Sequence, residues 1–281
     1  MTSLRKNTAL QTHSSIHADK AIITVSAAIA LFGLFALPWH QNAAHAKRVS
    51  TPPIVSREEW GSKAQPIPEE KKQIPKWITI HHAGELWHYG EDPAQFVRNM
   101  QIWGQNRPKL EKPPRDTYWP DLPYHFLIAP DGRIFEGRPI QYEPESNTKY
   151  DLNGNIGIEM MGDFNVQRPS LEQIKSCVEI TAWLCKQEKI PIENIRTHQD
   201  IAKGQTDCPG KDFYRYISDG QFKTWVQNSI RGKKTNVVTG EPLKDGPSIS
   251  IDDPSTAKTP APAKTSATDA LPIPTLTPKT K

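Results

Sequence analysis

The sequence predicts an α/β fold, a central mixed β-sheet flanked by helices in a single domain, followed by a disordered C-terminal tail. Three observations carry this expectation. Between residues 47 and 232, short β-branched and aromatic runs alternate with amphipathic stretches, the pattern of strands interleaved with helices. Residues 233–281 hold eight prolines and no aromatic residue, too little apolar surface to offset the entropy of ordering. Apolar residues make up only 36% of the 281-residue chain, which suits one well-buried domain with segments outside its core.

At the N-terminus, Arg5, Lys6 and Lys20 precede an apolar run from Ala21 to Leu37, and Ala44-His45-Ala46 follows. A positive start, an apolar middle and a small-x-small exit predict a signal peptide over residues 1–46. The alternative is an uncleaved anchor, but 17 residues sit at the short end for a bilayer, and Thr24, Ser26 and Gly33 weaken the run. The expectation is an exported protein of the periplasm or the extracellular cell wall, with no stable membrane anchor after cleavage.

The domain then reads in order. Trp77 to His82 is a strand candidate, and residues 92–105 a helix that repeats Phe96, Val97, Met100 and Trp103 on one face. The proline-rich stretch from Gln105 to Leu122 is a surface loop, in which Tyr118 and Trp119 either wall a groove or serve no site. Tyr124 to Ala129 and Arg133 to Glu136 form a hairpin about Pro130-Asp131-Gly132. Ile156 to Met161 is a further strand. Ser170 caps a helix to Gln187, with Gln173 as its capping-box partner. Ile195 to His198 is a short strand, and Asp212 to Ser229 a terminal helix.

The formal net charge is +4, and residues 1–46 account for half of it through Arg5, Lys6, Lys20 and Asp19. Without a basic stripe interleaved with aromatics, nucleic acid is excluded as a partner. Three cysteines are an odd number for an exported chain. Cys177 and Cys185 fall eight residues apart on one helix, roughly 12 Å, too far for a disulfide, and read as buried thiols.

Five histidines remain beyond the signal segment: His81, His82, His88, His125 and His198. His198 and Cys208 are joined by a ten-residue step that suits a loop doubling back, and Cys208 precedes a helix whose N-terminus favours thiolate. Two histidines and a cysteine would hold zinc by three ligands and leave a fourth position for water. From spacing alone, a core thiol and satisfied histidines explain the same residues.

Several segments, in order, resemble the type 2 N-acetylmuramoyl-L-alanine amidases, the superfamily of peptidoglycan recognition proteins and phage lysozyme-type amidases. They are Val55-Ser56-Arg57-Glu58-Glu59-Trp60-Gly61, Ile80-His81-His82-Ala83-Gly84, Tyr124 to Ile128 with Asp131-Gly132-Arg133 and Glu136-Gly137-Arg138, Asn155 to Asn165, and Thr206-Asp207-Cys208-Pro209-Gly210. The resemblance spans roughly residues 54–230 and implies a zinc-dependent hydrolase that cleaves the amide between N-acetylmuramic acid and L-alanine of peptidoglycan. Its partners would be peptidoglycan or muropeptides, and a monomer is the default. A non-catalytic peptidoglycan-binding module on the same fold is the alternative.

The resemblance places His81, His198 and Cys208 on the zinc positions, one zinc ion (Zn2+) per chain. It makes Tyr124 a catalytic tyrosine that hydrogen-bonds the attacking water or the oxyanion. Glu159 resembles a general base of the anhydromuramoyl branch; the other reading is a carboxylate paired with arginine or facing solvent. Thr206 stands where phage-type amidases carry lysine, and its expected role is a hydroxyl donor to the carbonyl oxygen. His82 is expected to make a structural hydrogen bond, His125 to support the core and His88 to sit in a loop. The step from His198 to Cys208 is two residues longer than in typical recognition proteins, which leaves the choice between intact and anhydro sugar ends open.

Overall fold

A computed structural model describes residues 49–110 and 118–258. The expected signal peptide, residues 1–46, lies outside the described residues, as does the tail beyond Lys258. No helix among the described residues is long and apolar enough to cross a membrane.

Six strands form one sheet: β1 (Ile54–Val55), β2 (Trp77–His82), β3 (Phe126–Ile128), β4 (Ile134–Glu136), β5 (Asn155–Met160) and β6 (Ile195–Thr197). Their order is β1-β4-β3-β5-β2-β6. Only the β3–β4 hairpin is antiparallel, so the sheet is mixed, as expected. The helices are α1 (Pro93–Leu110), α2 (Leu171–Gln187), α3 (His198–Ile201), α4 (Lys211–Ser218) and α5 (Gln221–Ile230).

The central pair sets the two faces of the sheet. β2 and β5 run parallel with Ile78 opposite Ile156 and Ile80 opposite Ile158, and these four side chains are fully buried. Each contributes roughly 2–3 kcal/mol relative to exposure. Alternating with them, Thr79 pairs with Gly157 and His81 with Glu159, pointing to the other face. The hydrophobic effect therefore fixes the register, and the register carries the polar pair to the site.

Helix α2 packs on β3 and β5 through a stripe that includes Ile174, Cys177, Val178 and Leu184, and α5 packs on α2. The Ser170 hydroxyl accepts from the Gln173 backbone N–H at 3.0 Å, the predicted cap. Gln173 does not close the capping box. Its buried amide donates to the carbonyls of Ile128 and Met161, both at 2.9 Å, and ties the helix to β3 and to the end of β5. Cys177 and Cys185 are free, buried thiols, and burial pushes Cys185 up to about 12.

Beyond shifts of one or two residues at strand ends, four boundaries differ from the sequence expectation for a physical reason. The terminal helix is two helices, because Gly220 at φ 78° supplies a left-handed residue between α4 and α5. Strand β6 stops at Thr197, since Asp200 accepts from the Thr197 N–H at 2.9 Å and its hydroxyl at 2.7 Å and starts α3 at His198. Helix α1 continues through Gln105 to Leu110, and Trp119 and Leu122 are buried, so 105–122 is not wholly a surface loop. Finally, packing does not end at residue 232: Val237 and Ile251 are buried, and residues 233–258 run along the domain.

Candidate metal centre and active site

Strand β2 ends in two adjacent histidines, and alternation sends them to opposite faces. His82 is a supporting residue. Its Nδ1 accepts from the Phe164 N–H at 3.1 Å and lies 3.6 Å from a carboxylate oxygen of Asp163. Its own backbone N–H donates to the Cys208 sulfur at 3.2 Å. His81 turns to the other face, with Nδ1 3.7 Å from Cys208 Sγ. His198, at the first position of α3, brings its ring centroid to 4.6 Å from that of His81.

Ligand atoms of His81, His198 and Cys208 all lie within 4.8 Å of one another. The donor set fits zinc. Bonds of about 2.0 Å to nitrogen and 2.3 Å to sulfur at a tetrahedral angle set the two atoms about 3.5 Å apart, close to the observed His81–Cys208 separation. Burial pushes both imidazoles down, His198 to about 4 and His81 well below its usual value with His198 beside it, which keeps them in the neutral, coordinating form. Burial also pushes the Cys208 thiol up, against the expected pull of the α4 N-terminus; a bound dication would reverse that balance.

The outer support of His198 carried no signal in the sequence. Its Nε2 is 2.5 Å from the Thr148 hydroxyl and 3.5 Å from that of Ser146, and the Tyr150 ring stands 5.5 Å from its own. No motif marks residues 146–150, because hydroxyl groups reach a histidine only once the loop is folded.

Glu159, the register partner of His81, is fully buried. Neither carboxylate oxygen has a hydrogen-bond partner among the described residues. Burial, with Glu85 nearby, pushes its carboxyl up to about 8. A buried carboxylate without partners is costly, so neither the arginine-paired nor the solvent-facing reading describes its position. Tyr124, just before β3, lies on the same side, its ring centroid 5.0 Å from that of His81. Burial holds its hydroxyl well above the usual phenol range, so it remains a neutral donor.

Thr206 has a contact that its expected role did not include. Its hydroxyl accepts from the Cys208 N–H at 3.1 Å and shapes the turn that presents the cysteine. His125 is a supporting residue as expected: Nδ1 accepts from the Gly157 N–H at 2.9 Å, and Nε2 donates to the Tyr142 carbonyl at 2.8 Å. His88 contacts the Thr256 carbonyl at 3.0 Å, away from the three ligands. Trp119 is buried edge-on against Trp103 at 5.3 Å and walls no groove, whereas Tyr118 is exposed.

A family model described as N-acetylmuramoyl-L-alanine amidase matches residues 70–211, a segment that includes all three candidate ligands. The chain belongs to this family. Among curated relatives, peptidoglycan-recognition protein SD of Drosophila simulans is 27% identical over 178 residues, 62% of this chain and 88% of that protein. Human peptidoglycan recognition protein 4 is 27% identical over 168 residues, covering 59% and 42% of the two chains. Of solved structures, wild-type Drosophila PGRP-LB is similar with 26% identity and a TM-score of 0.49 over 60% of this chain and 94% of that one. The amidase LysC from Clostridium intestinale matches with 23% identity and a TM-score of 0.45, covering 61% and 99%.

Proposed function

We propose that this member of the N-acetylmuramoyl-L-alanine amidase family is a zinc-dependent hydrolase that cleaves the amide between N-acetylmuramic acid and L-alanine in peptidoglycan or muropeptides. The observation that carries the reading is the convergence of His81, His198 and Cys208 within 4.8 Å, on the side of the sheet where Glu159 and Tyr124 point. Three protein ligands leave one position open, the arrangement of catalytic rather than structural zinc sites.

Zinc, when bound, supplies Lewis acidity that acidifies a water molecule and polarises the scissile carbonyl. Glu159 accepts the proton of the attacking water on a carboxylate oxygen and returns it to the alanine nitrogen as the C–N bond breaks. Its carboxyl, raised to about 8, is poised near neutral pH for both halves of that exchange. The neutral Tyr124 hydroxyl donates to the oxygen that gains charge as the tetrahedral carbon forms. His82 and Thr206 bind no substrate in this scheme; they fix Cys208 through its sulfur and its backbone N–H. The products are a lactyl carboxylate on the sugar and a stem peptide with a free N-terminal alanine.

The N-terminal pattern of residues 1–46 and relatives named for recognising peptidoglycan support export and a wall substrate. The test is mass spectrometry of purified sacculi incubated with the protein, with and without a chelator. Release of stem peptides beginning with L-alanine, blocked by the chelator, is the expected result. Retention of the protein on sacculi with no peptide released would instead assign it to the binding modules of the same fold.

A further inference from the structure

Residues 233–258 lie beyond the matched family segment and contribute no group to the metal centre, yet they are built into the domain. Ile251 is fully buried. It fills a notch left by Gly162, where an added β-carbon would meet Ile251 Cδ1 at 2.4 Å. Around this plug the segment pairs with Arg168 as a short parallel bridge. The Arg168 N–H donates to the Ile249 carbonyl at 2.8 Å, and the Ile251 N–H donates to the Arg168 carbonyl at 2.9 Å. The Arg168 guanidinium donates to the Gly240 carbonyl, and Arg215 on α4 donates to the carbonyls of Gly240 and Glu241. Both arginines also face the buried carboxylate of Asp212, at 3.7 and 3.4 Å.

The stretch held in this way, residues 161–168, supports the ligands. The Phe164 N–H donates to His82 Nδ1 at 3.1 Å, and the Phe164 carbonyl accepts from the Asp212 N–H at 3.0 Å. The Asn165 side chain accepts from the Lys211 N–H at 3.2 Å. The start of α4 is thereby docked on this loop three and four residues after Cys208. The Gly162 carbonyl in turn accepts from the Gly84 N–H at 3.1 Å, holding the chain that leaves β2 just after His81 and His82. Contacts run without a break from Ile251 through Gly162 and Phe164 to His82 and Cys208.

We propose that residues 233–258 act as a strap that positions the metal centre, with Ile251 as its positioning residue. The inference rests on the zinc reading given above. A site binds metal tightly when its ligands are ordered before the metal arrives, and loss of outer partners costs roughly 10- to 100-fold in affinity. Ile251→Ala empties the notch beneath Gly162 and frees the 161–168 loop while leaving all three ligands in place.

The test is zinc affinity, measured by competition with a chromophoric chelator on the full chain at a temperature where circular dichroism shows wild type and variant equally folded. The expected result is a zinc dissociation constant raised about 10-fold or more in Ile251→Ala, with Ile251→Val, one methylene smaller, close to wild type. An unchanged zinc constant beside a lowered melting temperature would overturn the proposal and leave the strap a brace for stability alone. If Ile251→Ala does not fold, the same measurement passes to Arg215→Gln, which loosens the strap at Gly240 and Glu241; an unchanged zinc constant there overturns the proposal equally. Because no substrate is involved, the outcome is separate from the identity of the bond cleaved, and a wild-type chain that binds no zinc would sink both the strap and the metal reading.

Discussion

His81 on β2 and Glu159 on β5 are register partners in a parallel ladder, so a metal-ligand candidate and a buried carboxylate leave the sheet side by side. The isoleucine pairs that precede them, Ile78 with Ile156 and Ile80 with Ile158, fix that register, and a slip of one residue would turn the polar group of the shifted strand into the apolar core. The core and the site therefore depend on the same pairing.

Glu159→Gln keeps the size of the side chain and removes its capacity to take a proton. If the carboxylate is the general base, kcat falls about 100-fold or more while zinc content stays at one per chain. Steady-state kinetics on a defined muropeptide, with elemental analysis of the same sample, checks both halves. Activity within about 3-fold of wild type would remove Glu159 from the chemistry.

Tyr124→Phe deletes a single hydroxyl beside His81. Loss of one donor to a developing oxyanion costs roughly 100-fold in kcat with little change in KM. The aromatic packing survives, so the melting temperature of the variant should match wild type. A drop in KM-linked binding without a drop in kcat would assign the phenol to substrate recognition instead.

Cys208→Ala removes the only sulfur among the three candidate ligands. Zinc content by elemental analysis should fall to background and hydrolysis with it, while the chain still folds. The Cys208 side chain accepts one backbone N–H, from His82 at 3.2 Å, and its loss leaves that donor buried. A modest loss of stability, about 1–3 kcal/mol, should accompany the loss of metal. Full zinc occupancy in this variant would refute the ligand assignment.

The sequence made the sheet and the cluster of His81, His198 and Cys208 legible because both are written in local chemistry. Alternation in Trp77–His82 separates His81 from His82, and the β-branched run at Asn155–Met160 places Glu159 opposite the apolar face before any contact is known. The parts that were not legible depend on distant chain. Thr148 supports His198 across a span of fifty residues. The Thr206 hydroxyl accepts from the Cys208 N–H two residues on, a cap that appears only once the turn is folded. The segment from 233 to 258 has a disordered composition, yet one isoleucine finds a notch that only a glycine leaves. Composition sums over a window and cannot register a single buried plug.

The metal-free protein should lose stability as the pH falls. Folding lowers the pKa of three buried histidines, His125 to about 3, His198 to about 4, and His81 well below its usual value, in each case chiefly through burial. Below pH ~6.5 the unfolded chain takes up protons that the folded chain refuses, so ν_U exceeds ν_N and stability rises with pH. Each histidine contributes at most about 1.4 kcal/mol per pH unit between ~6.5 and its folded value. Glu159 has the opposite sign: its raised folded pKa makes the folded chain bind the extra proton, so stability falls from pH ~4.5 towards 8. Urea midpoints of the chelated protein across pH 4 to 8 should therefore pass through a maximum, and Glu159→Gln should flatten only the alkaline side. A wild-type profile without acid loss would show that the histidines are not held neutral.

Gly210 joins the cysteine turn to α4 at φ 83° and ψ 155°, backbone that is almost exclusive to glycine. Space forbids a side chain there as well. A β-carbon on Gly210 would lie 2.6 Å from the Phe164 carbonyl carbon, and backbone cannot swing aside as a flexible side chain can. Gly210→Ala must therefore strain φ, displace the 161–168 loop, or both, and the cost should be about 2–4 kcal/mol by denaturant unfolding. Since Phe164 holds His82 and Gly210 follows Cys208 by two residues, the same substitution should weaken zinc retention in the fraction that folds. Gly204 serves as the control: its φ of 73° is also left-handed, but an added β-carbon meets nothing within 4 Å. Gly204→Ala should cost only the backbone penalty, about 1 kcal/mol, and leave zinc binding intact. Equal losses at the two positions would mean that strain in φ, and not the close approach to Phe164, sets the effect.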